Sequence, residues 1–351
     1  MASMLRIFCG WALLTALAGC SGARPILGDL TQKPIRGESF WNAHFQTNDW
    51  RTIPLALRIS ESPSSLLEYV GQLNSLEGFP SDTRPAQMDS EMAGAIEATL
   101  RMLPVPIQKR LQKKLLGIFV VNNLGSSGLT ESVFNSQQGL VGGFIILDSA
   151  VLAQGANRWC SWRENTPFTP SPGILLQCQV ADSTHDSRAL AIQMILIHEF
   201  GHVLSIGENY HPDWDQNPTQ ELSLTHYPFM QLGWRQENQK TITRWENAYP
   251  SRRDIHFYSK KPALPLDKSA SIYQELESTG LISLYGSQTV FEDFAESFLY
   301  FIHCELNNNP YRISILKDGK LLYQYQLDWS SPRLQAKRDW FRENFLIESA
   351  E

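Results

Sequence analysis

Apolar positions along this chain change their spacing from one stretch to the next, and the changes mark its elements. Residues 7 to 17 form an apolar run behind Arg6, interrupted only at Thr15. Residues 21 to 85 are rich in Pro, Ser and Gly, with aromatics at Phe40, Trp41, Phe45 and Trp50. They predict a tether leading into a small packed N-terminal region. From 90 to 116 the apolar residues recur at helical spacing, with interruptions at Pro104 and Pro106. The segments 117–124 (GIFVVNNL) and 142–147 (GGFIIL) predict short buried strands. A helix is predicted from Asp186 or Ser187, either of which can cap it, to about Ser205, with Gly207 at its end. Leu190, Ile192, Ile195, Leu196 and Val203 distribute apolar surface around most of that helix. Residues 208 to about 268 are polar, aromatic and Pro-containing, an irregular insertion. A second helix is predicted over about 290–303. Two alternating segments, 311–316 and 321–326, flank Asp318-Gly319 and predict a hairpin. An amphipathic helix closes the chain over about 332–346. The mixture predicts an α+β fold, with no repeat of fixed period.

Composition narrows the class. The chain has 351 residues, 42% hydrophobic and 19% charged, with a formal net charge of -6, which is ordinary for a globular protein. The densest basic stretch, 109–114, reads as the solvated face of a helix. No nucleic-acid partner is expected. The run at 7–17 is too short to span a bilayer and reads as the core of a signal peptide over 1–20. It ends in Leu17-Ala18-Gly19-Cys20, which resembles a bacterial lipobox. That resemblance implies lipidation of Cys20, export, and anchoring in the cell envelope. Ser21 after the cysteine resembles the pattern of outer-membrane lipoproteins, exposed to the periplasm or the surface. Export permits disulfides. Cys160 and Cys178 flank a Pro-rich loop and are the expected pair, leaving Cys304 as a buried thiol.

The chemistry concentrates in His198-Glu199-Phe200-Gly201-His202, an HExxH sequence on the predicted helix. Residues four apart on a helix lie about 40° apart around its axis, so both imidazoles face one point, as a tetrahedral Zn²⁺ requires. Glu199 is turned about 100° away. It cannot easily join the same ligand set, but it can reach the open side and take a proton from water there. A catalytic zinc needs a third protein ligand, and two candidates compete. Glu208 lies ten residues after His198, where metzincins place theirs, yet Ser205 stands where that motif needs Gly. Glu292 lies on the second helix, where gluzincins take theirs. Glu292 and Glu296 share one helix face, so one could bind metal while the other accepts the N–H of a ligating histidine.

The segment 285–298, reading YGSQTVFEDFAESF, resembles a segment in the peptidase domain of anthrax lethal factor and its relatives, where it follows an HEFGH helix. Tyr285-Gly286, a Glu seven residues after the Tyr, and Phe294-Ala295-Glu296 match in register. The resemblance covers the two helices and the strands before them, with a longer spacing between the helices than the family's, and it implies a zincin fold of gluzincin type. The peptidase domain is accordingly expected over 86–310, ahead of the C-terminal hairpin and helix over 311–351. The resemblance implies His198, His202 and Glu292 as zinc ligands, Glu296 as the carboxylate behind a ligating histidine, and Tyr285 as a donor to the oxyanion. It implies a zinc peptidase with Glu199 as general base acting on polypeptide substrates. In zincins an edge strand beside the metal helix pairs with extended substrate, and the 142–147 segment could be that strand or an interior one. The expectation from another class is a lipid-anchored binding or scaffold protein with a structural or vestigial zinc site.

Overall fold

A computed structural model describes residues 30, 32–76, 78–214, 224–238, 240–259 and 262–347. The expected signal peptide and Cys20 lie outside these residues. The described chain is α+β and divides into two compact units. One holds the residues up to 153 together with 202–207; the other holds 154–201 and the chain from 208 onward. No described helix is long and apolar enough to cross a membrane.

The first unit is built on strands β1 (Ile59–Ser60), β2 (Arg84–Pro85), β3 (Leu115–Asn122), β4 (Gly128–Phe134) and β5 (Leu140–Asp148), with helices α1 (Glu38–His44), α2 (Ser64–Leu76), α3 (Ser90–Met102) and α4 (Val105–Lys114). The strand order is β1-β3-β5-β4, with β2 also on β3. Strand β3 runs parallel to β1 and β5, and β4 antiparallel to β5. Covered on both faces, β3 and β5 are nearly continuous in apolar residues, as buried parallel strands are. The break between α3 and α4 falls at Leu103-Pro104. The proline offers no N–H and holds the preceding residue extended, with Leu103 at φ -67 and ψ 147. Trp41 and Trp50 are fully buried in the core with Phe119 and Phe144. The Trp41 ring lies 4.9 Å from that of Phe144. Strand β5 pairs with a neighbour on each side, so its backbone is interior and closed to a substrate strand.

The second unit contains α5 (Ala156–Asn165), β6 (Ile174–Gln179), α6 (Arg188–Ser205, which runs on into the first unit), α7 (Ser269–Glu277), α8 (Val290–Tyr300), β7 (Arg312–Lys317), β8 (Lys320–Gln326) and α9 (Gln335–Phe345). Strands β8, β7 and β6 form an antiparallel sheet in that order. Asp318 and Gly319 turn the hairpin with positive φ values of 49° and 78°, the geometry a two-residue Asp-Gly turn requires. A disulfide between Cys160 and Cys178 ties α5 to β6. Phe341 and Phe345 of α9 pack against Phe294 and Phe298 of α8. Truncating a buried aromatic such as Phe294 would cost about 3–5 kcal/mol.

Candidate metal centre

Helix α6 carries the HExxH sequence. Ala191, Ile192, Ile195, Leu196, Ile197 and Phe200 along it are all buried, so the helix presents its polar residues inside the protein. Ser187 accepts from the Leu190 N–H at its start. Gly201 is where α6 meets α8: a Cβ there would lie 2.9 Å from Ala295 Cα and 3.3 Å from Phe298 Cβ. Only a residue without a side chain lets the two backbones come this close. On α8, Thr289 caps the first turn by accepting from the Glu292 N–H at 3.2 Å.

The close approach brings three potential ligands together. His198, His202 and Glu292 each offer a ligand atom within 4.8 Å of the others, and the group can hold a metal ion. Glu208 is not part of it. His198 Nε2 lies 3.3 Å from Glu292 Oε2, and Nδ1 lies 3.1 Å from Glu296 Oε1. His198 is 6% exposed, Glu292 2% and Glu296 0%. Burial alone would lower the basicity of His198, but bonds to Glu292 and Glu296 outweigh it and push its pKa up to about 10. Two buried carboxylates converging on one imidazole call for positive charge. A proton on His198 supplies it, and a cation held by His198, His202 and Glu292 would supply it as well. The donor set therefore fits a divalent ion.

Behind the histidine stands a buried charge network. Glu296 accepts from both terminal nitrogens of Arg163, at 3.0 and 3.2 Å, and from Ser283 Oγ at 2.7 Å. Burial would raise the Glu296 pKa, but Arg163 and His198 hold it below the usual carboxylate range. Arg163 also binds Glu164 Oε1 at 3.0 Å, and Tyr273 donates to Glu164 Oε2 at 2.7 Å. Burial pushes the Glu164 carboxyl up. Arg163, Glu164 and Ser283 were not marked by the sequence. They carry no motif, and Arg163 meets Glu296 across 133 positions of chain.

Glu199 follows His198 on α6 and is 2% exposed. Tyr285 is also 2% exposed. Its ring lies 5.8 Å from the His198 ring, meets Phe257 edge-on at 5.0 Å, and has the Arg163 guanidinium 5.3 Å from its centroid. Gly286 packs its backbone onto α8, where a Cβ would lie 3.3 Å from that of Glu296. His211, from the irregular segment, bonds its own neighbour, the Pro212 carbonyl, and packs on Phe291 and Phe294. Neighbouring Tyr210 stacks on Phe294. Against protein-family models, curated proteins and solved structures, the chain gives no significant match.

Proposed function

We propose that this chain is a zinc-dependent peptidase of the bacterial cell envelope, cleaving peptide bonds in polypeptide substrates. One observation carries the reading: His198, His202 and Glu292 converge on one point while Glu199, a buried carboxylate outside that ligand set, sits between the two histidines on the same helix. A structural zinc site has no use for such a group; a hydrolytic one needs a base beside the metal. Zinc held there would supply Lewis acidity toward a peptide carbonyl and toward water. Glu199 then accepts the proton of the attacking water and returns it to the departing amine. Glu296 holds the Nδ1 side of His198, and Tyr285 donates to the oxygen on which negative charge develops. The similarity of 285–298 to the lethal-factor peptidase segment supports these two roles and the gluzincin assignment. The apolar run ending in Leu17-Ala18-Gly19-Cys20 supports lipid anchoring in the envelope.

The test pairs metal content with turnover. The unaltered chain should bind about one zinc per molecule. Glu199→Gln should keep that zinc and lose about 10²–10⁴-fold in peptide hydrolysis. Glu292→Ala should lose the zinc itself, whereas Glu208→Ala should retain it. Undiminished hydrolysis by Glu199→Gln would end the peptidase reading and favour a binding protein with a structural ion.

A further inference from the structure

Arg163 is 3% exposed, and a guanidinium removed from water is costly unless its donors are matched. Here they are matched toward the metal centre. Nη1 and Nη2 grip both oxygens of Glu296 at 3.0 and 3.2 Å. Nε and Nη2 reach Glu164 Oε1 at 3.2 and 3.0 Å, and Nη2 also reaches Tyr300 Oη at 3.1 Å. The Trp159 and Tyr285 rings lie 5.0 and 5.3 Å from the guanidinium carbon. The two-pronged contact fixes the plane of the Glu296 carboxylate, as a lysine, a single point of charge, could not. Ser283 holds the Oε2 side at 2.7 Å. Oε1, shared with Arg163, then faces His198 Nδ1 at 3.1 Å. The helix bearing Arg163 is itself pinned, one turn earlier, by the Cys160–Cys178 disulfide.

We propose that Arg163 is a positioning residue of the metal centre: by clamping Glu296 it keeps the proton on His198 Nδ1 and turns Nε2 to the ion. The inference rests on the metal reading above. A purely structural arginine would support the fold of this unit without setting the geometry of the imidazole.

Zinc affinity, measured on the full chain by competition with a chromophoric chelator, separates the two. Arg163→Lys should weaken zinc binding about 10-fold and Arg163→Met about 100-fold, the range seen when the partners behind metal ligands are removed. Because the two groups act in line, adding Arg163→Lys to Glu296→Gln should cost little beyond Glu296→Gln alone. In the zinc-loaded chain, the His198 Nδ1–H proton resonance should be protected from exchange, and Arg163→Lys should lose that protection. Should Arg163→Met fail to fold, Arg163→Lys, which keeps the charge and loses the two-pronged contact, carries the test. Zinc affinity equal to the unaltered chain in the folded Arg163 variants overturns the inference. So do losses that multiply in the double variant. His198→Ala is the control for the parent reading. If it loses zinc while the Arg163 variants keep it, only the positioning role fails. If it binds zinc unimpaired, the metal reading fails and takes this inference with it.

Discussion

His198 faces a carboxylate on each ring nitrogen, and this sets a pH dependence with two opposite signs. In the metal-free chain the raised pKa, about 10 against an ordinary 6.5, means the folded state holds this proton more tightly than the unfolded one. Its contribution to stability is full below about pH 6.5 and is lost as pH rises through about 10. Zinc held at Nε2, as proposed, would displace the same proton, so zinc affinity should rise with pH over that window, by about tenfold per unit for one proton released. Denaturant melts of metal-free chain and His198→Gln, run from pH 6 to 10, check the first; zinc titrations over the same range check the second. A difference between chain and variant that does not shrink with rising pH would contradict the linkage. Tyr285 offers a cleaner probe of the proposed catalysis. Tyr285→Phe keeps the ring against His198 and Phe257 and deletes only the hydroxyl. It should stay folded, keep zinc and lose roughly 10²-fold in kcat. A wild-type kcat would reduce the residue to packing. At this scale the sequence was informative where spacing along one helix sufficed, for His198, Glu199 and His202 and for the shared face of Glu292 and Glu296. It was silent on Arg163, because nothing local distinguishes an arginine that will be buried from one that will be solvated.

Helix α6 and helix α8 make the site by touching at Gly201. Replacing it by Ala gains about 1 kcal/mol of helix propensity. The new Cβ, 2.9 Å from the Ala295 backbone, should cost about 1–3 kcal/mol by overpacking and separate His198 from Glu292. We expect Gly201→Ala to be no more stable than the unaltered chain and to bind zinc at least about tenfold more weakly, given the reach of outer contacts on metal sites. Gly94 in α3 is the control, since a Cβ there meets nothing within 4 Å. Gly94→Ala should stabilise by about 0.5–1 kcal/mol. Urea unfolding of both variants measures the contrast, and equal shifts would refute the close-approach argument. Elements with strong local signals lie near their predicted places: β3, β5, α6, α8, the Asp-Gly hairpin and α9. Others were illegible for specific reasons. Strand β4 buries Thr130, Glu131 and Ser132, a polar run that hides a strand. Arg36 pairs with Glu131 there at 2.8 Å, which offsets the cost of burying its charge. Strand β6 follows the Pro-rich loop and becomes a strand by pairing with β7, 133 to 143 residues away.

Over the whole molecule, the two compact units interleave in sequence, since residues 202–207 group with the chain before 154. No set of linear boundaries expresses that arrangement. The Trp and Phe residues between 21 and 85 carried no period, yet Trp41 and Trp50 lie in the core of the first unit, because a large apolar ring is buried wherever a sheet face is open to it. At this scale the envelope proposal has its own test. Cys20→Ser should release the protein from the membrane fraction or block its maturation. A protein that stays membrane-bound with an unmodified N-terminus would show that the lipobox resemblance misleads.

Local sequence was enough to read the HExxH helix, the shared helix face of Glu292 and Glu296, and the hairpin turn. Each follows from interactions within a few positions: the i,i+4 geometry of a helix and the Asp-Gly step of a tight turn. Tertiary structure alone decided which distant carboxylate meets the histidines, and it brought Glu296 to His198 across 98 positions and Arg163 to Glu296 across 133. Such pairs leave no periodic trace, because a buried charge is stabilised by whatever folding places within about 3 Å of it, and separation along the chain does not enter that energy.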